Sequence, residues 1–199
     1  MQGAYGDLLG RYFELPCAPA LVMLPAPTTP FVATRITCLP DQLGMKQEIP
    51  PQDAFAVTLH LAGVSHHELW VRGRPSVVRG YAPGAISIVD LRDEVASYLG
   101  SPLDALHFYV PRALVDAVTD AAGLARVSGI ACMPGLVDPV MENLGAAVLA
   151  LLERPQRASS ATSEHLAIAI CAHLVHRFGS TADGDAAASL APRHSRCMH

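Results

Sequence analysis

Residues 54–61 read AFAVTLHL, with Phe55, Val57, Leu59 and Leu61 alternating against Ala54, Ala56, Thr58 and His60. A period of two places one set on each face of a β-strand. One face belongs to a core, and the other lines a cavity or meets solvent.

Outward from this strand, punctuation by Gly and Pro continues from Phe31 to Val110, separating short β-branched and aromatic segments. Glu68–Val71 and Ser76–Tyr81 flank Arg72-Gly73-Arg74, which predicts a hairpin with Gly73 at positive φ. Pro83-Gly84 predicts a second turn, after which Ala85–Asp90 (AISIVD) starts a new strand. Leu106–Val110 (LHFYV) is the last strand signal. Pro111 then suits the first turn of a helix carrying Leu114, Val118 and Ala122, with Gly123 to end it. Asp138 and Pro139 open a second helix with the stripe Val140, Leu144, Val148, Leu151 and Leu152, expected to stop before Pro155. A third begins near Ser160 or Thr162 and reaches Phe178, with Gly179 closing it. It carries Leu166, Ile170, Leu174 and Phe178 in one stripe and Ile168, Cys171 and Val175 on another. A helix apolar nearly all round is either buried in its own domain or forms a subunit seam.

The expected class is α+β: a β-barrel or sandwich over residues 1–110, a helical region over 111–179, and a disordered tail over 180–199. The 199 residues, 51% of them hydrophobic, suffice for one cored domain with a helical appendage. A net charge of −4 with scattered basic residues offers no grip on a phosphate backbone, so no direct DNA binding is expected. Neither a secretory signal nor a membrane span is visible, which points to the cytoplasm. The five cysteines are widely spaced without a CxxC pair and read as reduced thiols.

The histidines are the tempting chemistry. His66 and Glu68 share a strand face while His67 points the other way, and Gly63 and Ser65 suggest that all three lie in a loop. His60 and His107 sit in strand signals and could meet across a barrel interior. Together His60, His66, Glu68 and His107 are the candidate metal ligands, but convergence is not evident and no metal or cofactor is expected. His173 and His176 read as solvent-facing. Asp90-Leu91-Arg92-Asp93-Glu94 reads as a turn-capping charge group, and Trp70 as a packing residue. GxSxG, GxxxxGK[ST] and GxGxxG motifs are all missing from the sequence.

Five stretches together resemble the N-terminal sensor domain of AraC-type transcription regulators of a cupin-like subgroup. They are HELWVRGRP (67–75), GAISIVDLRDE (84–94), SPLDALHFYVPRALVD (101–116), GLVDPVMENLGAAVLALLERP (135–155) and EHLAIAICAHLVHRFG (164–179). The resemblance implies a β-barrel that senses a small-molecule effector, followed by helices that form a homodimer, and not an enzyme. The rival is a cupin-like metal-dependent dioxygenase or isomerase. In the family a helix-turn-helix part follows the last helix. The expectation here is a regulator truncated before it, a standalone sensor or a frameshift remnant. A pocket is expected from Phe55, Val57, Leu59, Leu69, Trp70 and Val71, and a dimer seam from Leu166, Ile170 and Leu174.

Overall fold

The central strand of the molecule is packed on both faces, fully at Phe55, Val57 and Leu59 and only partly at Ala56 and Thr58. In the computed structural model, which describes residues 9–26, 29–154 and 159–180, strand β4 (Ala54–His60) lies between β9 (Leu103–Pro111) and β7 (Ala85–Asp90), antiparallel to both. The sheet continues through β2 (Thr29–Cys38) to β1 (Ala20–Ala26) on one side, and to the short β11 (Leu136–Val137) on the other. A second, four-stranded sheet faces it, built from β3 (Gly44–Met45), β8 (Val95–Leu99), β5 (Val64–Val71) and β6 (Arg74–Tyr81). The result is an antiparallel β-sandwich. A third pair joins β10 (Gly129–Ile130) to β12 (Gly179–Ser180).

Three helices cover the outer face of the six-stranded sheet: α1 (Arg112–Ala121), α2 (Pro139–Glu153) and α3 (Ser160–Phe178). Phe55, Val57 and Leu59 point toward them, joined by Phe31, Leu106, Phe108 and Val110 from the neighbouring strands. The opposite face, with Ala54, Ile36, Leu103 and Ala105, meets Val64, Tyr81, Val95 and Leu99 across the sandwich. On β4 itself the large apolar side chains enter the helix-sheet layer, while Ala54, Ala56 and Thr58 face the other sheet.

Local chemistry sets the element boundaries. Arg72 and Gly73 both take positive φ, the geometry of a tight two-residue hairpin turn between β5 and β6. Asp138 caps α2, accepting from the backbone N–H groups of Val140 at 3.0 Å and Met141 at 2.9 Å. Ser159 caps α3 through the Thr162 N–H at 3.1 Å. A Cβ on Gly145 would lie 2.3 Å from Leu59 Cδ2, so α2 approaches β4 closely only because that position has no side chain. Arg112 ties the start of α1 to the sheet: it lies 4.1 Å over the Phe55 ring and pairs with Asp90 and, at 3.2 Å, with Asp53.

Several expectations are corrected. His66, His67 and Glu68 do not lie in a loop but in β5, which starts at Val64 and already includes Ser65. Pro111 ends β9 as the N-cap of α1 and is not its first helical residue. Within residues 111–179, Leu136–Val137 forms a short strand that extends the main sheet at β7. His173 does not face solvent freely: its Nε2 lies 3.1 Å from both carboxylate oxygens of Asp138, joining α3 to the start of α2. Burial works against the Asp138 carboxylate, but these contacts and the Met141 and Val140 N–H groups hold its pKa below the usual value. Apart from Ser180, the tail lies outside the described residues, as do Pro155 and Cys197.

The expected seam on α3 is occupied within the chain. Ile170 and Leu174 are 0% exposed and Leu166 is partly buried, all packed in the helix-sheet core. The apolar side chain that α3 leaves outside is Ile168, 39% exposed. Leu174→Ala is expected to lower the unfolding free energy by about 2–5 kcal/mol through the cavity it leaves. Urea denaturation at several protein concentrations checks it, since a residue spent inside one chain shows the same loss at each.

Candidate functional site

Between the two sheets the small side chains of β4 leave room. Ala56, Thr58 and His60 line a cavity of about 60 Å³, together with His107 of β9, Ser87 of β7, and His67, Leu69 and Tyr81 from the facing sheet. Leu9, Phe13 and Ile49 also line it. Most of its wall is apolar, and such a volume holds several waters or a ligand of a few carbon atoms.

Three imidazoles meet here. His107 lies opposite Thr58 in the β4–β9 register, and His60 opposite Ala105, so these two histidines are neighbours within one sheet and do not face each other across the barrel. His67 comes from the opposing sheet. His60 is 2% exposed and stacks on Tyr81 at 4.1 Å with the rings 10° apart, while neither of its ring nitrogens has a hydrogen-bond partner among the described residues. His67 meets Tyr81 edge-on at 5.6 Å, its Nδ1 likewise without a partner. His107 Nδ1 is 3.2 Å from Thr58 Oγ1, its ring 5.3 Å from Phe13, and its Nε2 has no partner.

Burial pushes all three imidazoles down, His60 and His67 to about 4 and His107 to about 3, with repulsion among neighbouring histidines adding to the effect. All three are neutral at pH 7. Burial raises the Tyr81 phenol, so it too stays neutral there.

The sequence-derived candidates are distributed differently from expectation. Of the expected pocket residues, Leu69 lines the cavity. Phe55, Val57 and Leu59 point the other way, into the helix-packed core, because β4 turns its large side chains toward the deeper layer. Val71 packs at the edge of the inter-sheet core. Trp70 Nε1 donates to Glu68 Oε2 at 2.9 Å, and Glu68 Oε1 lies 3.0 Å from His66 Nε2, so His66, Glu68 and Trp70 form a network separate from the cavity wall. Of the four metal candidates, His60 and His107 come together and His66 and Glu68 do not join them. No group of three or more His, Cys, Asp or Glu among the described residues is placed to hold a metal ion. The imidazole nitrogens are not placed around one point, so this donor set does not fit a metal centre. His67, Thr58, Tyr81 and Ser87 were missed, although the alternation of AFAVTLHL does put Thr58 on the same face as His60.

Stability reports these imidazoles directly. Each is protonated more readily in the unfolded chain, with a pKa near 6.5, than in the fold, so their contribution to stability is fully present above about pH 7 and is lost as pH falls from about 6.5 to 4. The slope is about 1.4 kcal/mol per pH unit for each histidine that takes up a proton on unfolding. His60→Gln is expected to reduce the slope by about one such contribution, checked by urea denaturation across that pH range.

No protein-family model matches the chain, and no curated protein is significantly similar to it. Similar solved structures include a cupin 2 conserved barrel domain protein from Salinispora arenicola CNS-205, at 15% identity over 50% of this chain and 81% of that one, TM-score 0.34. The cupin domain of Schizosaccharomyces pombe Cnp3 shares 11% identity over 53% and 71%, TM-score 0.36. Ectoine synthase from P. lautus shares 14% over 47% and 62%, TM-score 0.34. With a synthase among the similar structures, the expectation that the chain is not an enzyme is withdrawn: the architecture gives no ground for it. Among the described residues no helix is long and apolar enough to cross a membrane.

Proposed function

We propose that the chain is a cupin-like effector-sensing module of the AraC-type regulator class, with the inter-sheet cavity as its effector site. The observation that carries this is His60: a buried imidazole with both ring nitrogens unpartnered, in the wall of a mostly apolar cavity. Small-molecule sites combine apolar walls with a few placed polar groups, whereas the large majority of buried polar atoms in a packing core are hydrogen-bonded. The regulatory assignment is supported by the five resembling stretches, which run from His67 to Gly179. A homodimer of the kind the resemblance implies then uses residues other than Ile170 and Leu174, which the chain's own core occupies.

Filling the cavity tests this reading. Ala56→Leu places extra carbons where the space lies, at a tolerable packing cost of about 1–3 kcal/mol. Thermal unfolding is followed with a panel of small alcohols, amides, lactones and carboxylates. A panel member bound at about 100 times its Kd raises the wild-type stability by about 2.7 kcal/mol. The filled variant is expected to lose that response. An equal response in the filled variant would place the effector elsewhere and sink the reading.

A further inference from the structure

The charge character of the cavity narrows what it binds, on the premise that it is a ligand site as just proposed. Among the described residues its wall contains no Asp, Glu, Lys or Arg, and its ionisable side chains are His60, His67, His107 and Tyr81. Near neutral pH such a wall can gain positive charge and cannot gain negative charge. A cationic ligand would be buried without a counter-charge, which is strongly unfavourable. An anionic ligand creates its own counter-charge, because its presence favours protonation of an adjacent imidazole.

We propose that the cavity takes a small monocarboxylic acid with an apolar body, held as a carboxylate against an imidazolium of the His60–His67–His107 cluster that forms on binding. One proton enters from solvent for each ligand bound, and no covalent bond changes. The apolar body lies against Leu69, Phe13 and Ala56, and a volume of about 60 Å³ limits it to a few carbons. His107 is suited to change charge: Thr58 Oγ1 can donate to a neutral Nδ1 or accept from a protonated one, so this contact survives either state.

The surroundings agree with a cluster whose charge depends on its ligand. His60 faces His67 and Tyr81, and His107 faces His60, His67, Phe13 and Thr58. His67 also feels His66, which disfavours its protonation, and Glu68, which favours it. Arg79 approaches the Tyr81 ring at 5.7 Å and is not part of the cavity wall. Among the described residues no carboxylate is in the wall, and a ligand carboxylate would supply the missing partner.

Isothermal titration of the full chain with isovalerate and isovaleramide, in two buffers of different ionisation enthalpy from pH 6 to 8, tests the proposal. Isovalerate is expected to bind with uptake of about one proton, weakening about tenfold per pH unit as pH rises, and to outbind the amide at pH 6 by about tenfold or more. Wild-type imidazole carbon shifts in NMR are expected to move to their charged values on adding isovalerate, a readout that needs no variant to fold. Amide binding as tight as carboxylate binding, or carboxylate binding without proton uptake or ring shift, overturns this inference while the cavity remains a ligand site. Binding of neither compound overturns the inference, and a silent response to the whole panel above overturns the cavity reading as well.

Discussion

The packing of β4 on both of its faces is the constraint on which the rest of the molecule depends. Phe55, Val57 and Leu59 enter the helix-sheet layer, and Ala56, Thr58 and His60 enter the space between the sheets. One strand thus serves two interiors with opposite demands. The first has to be filled densely for α2 and α3 to pack, and the substitution of any large residue there is felt as a void. The second is left loose by two small side chains, and the looseness is the cavity. A shift of one residue in the β4–β9 register would exchange the two faces, so the ladder from Ala54–Pro111 to His60–Ala105 fixes both layers at once.

The helices depend on the same strand and on a single acidic cap. Gly145 lets α2 approach Leu59, while Asp138 satisfies the first N–H groups of α2 and reaches His173 on α3. Three groups that sequence reading treats separately, a helix cap, a helical histidine and a small residue in an apolar stripe, form one connection between the helices and the sheet. Through it, α3 is held where Ile170, Leu174 and Phe178 complete the core above the strands. The apolar circumference of α3 is accounted for by β1, α1 and α2, which pack around it within the same chain.

The parts of the fold legible in the sequence are those written in local chemistry. Gly73 and Gly84 have the positive φ that their turns require, and Asp138 caps the helix that follows it. What could not be read depends on partners far along the chain. Alternation in AFAVTLHL separates two faces but does not say which neighbours each meets, and a face of Phe, Val and Leu serves equally well as a cavity wall or a helix platform. His66 and His67 differ only in strand parity. Placing His67 inside required knowing that β5 begins at Val64, and Gly63 and Ser65 masked that start. His60 and His107 were recognisable as strand histidines, but their relation was not, because it is set by a register between strands more than forty residues apart.

The imidazole cluster is difficult to explain as packing. A buried polar group without a partner costs about 1–3 kcal/mol, and His60, His67 and His107 each carry such an atom within one small volume. Leu or Phe at these positions would fill the space and remove that cost. Burial raises the energy of charging any one of these imidazoles, and a first charge would raise it further for the others, so the cluster resists protonation until something of opposite charge arrives. Stability is lower than an apolar core would provide, and in exchange the interior gains groups whose charge follows their occupant. Stability given up at one place is the usual physical mark of a site, and here it is confined to the side of β4 that faces away from the helices.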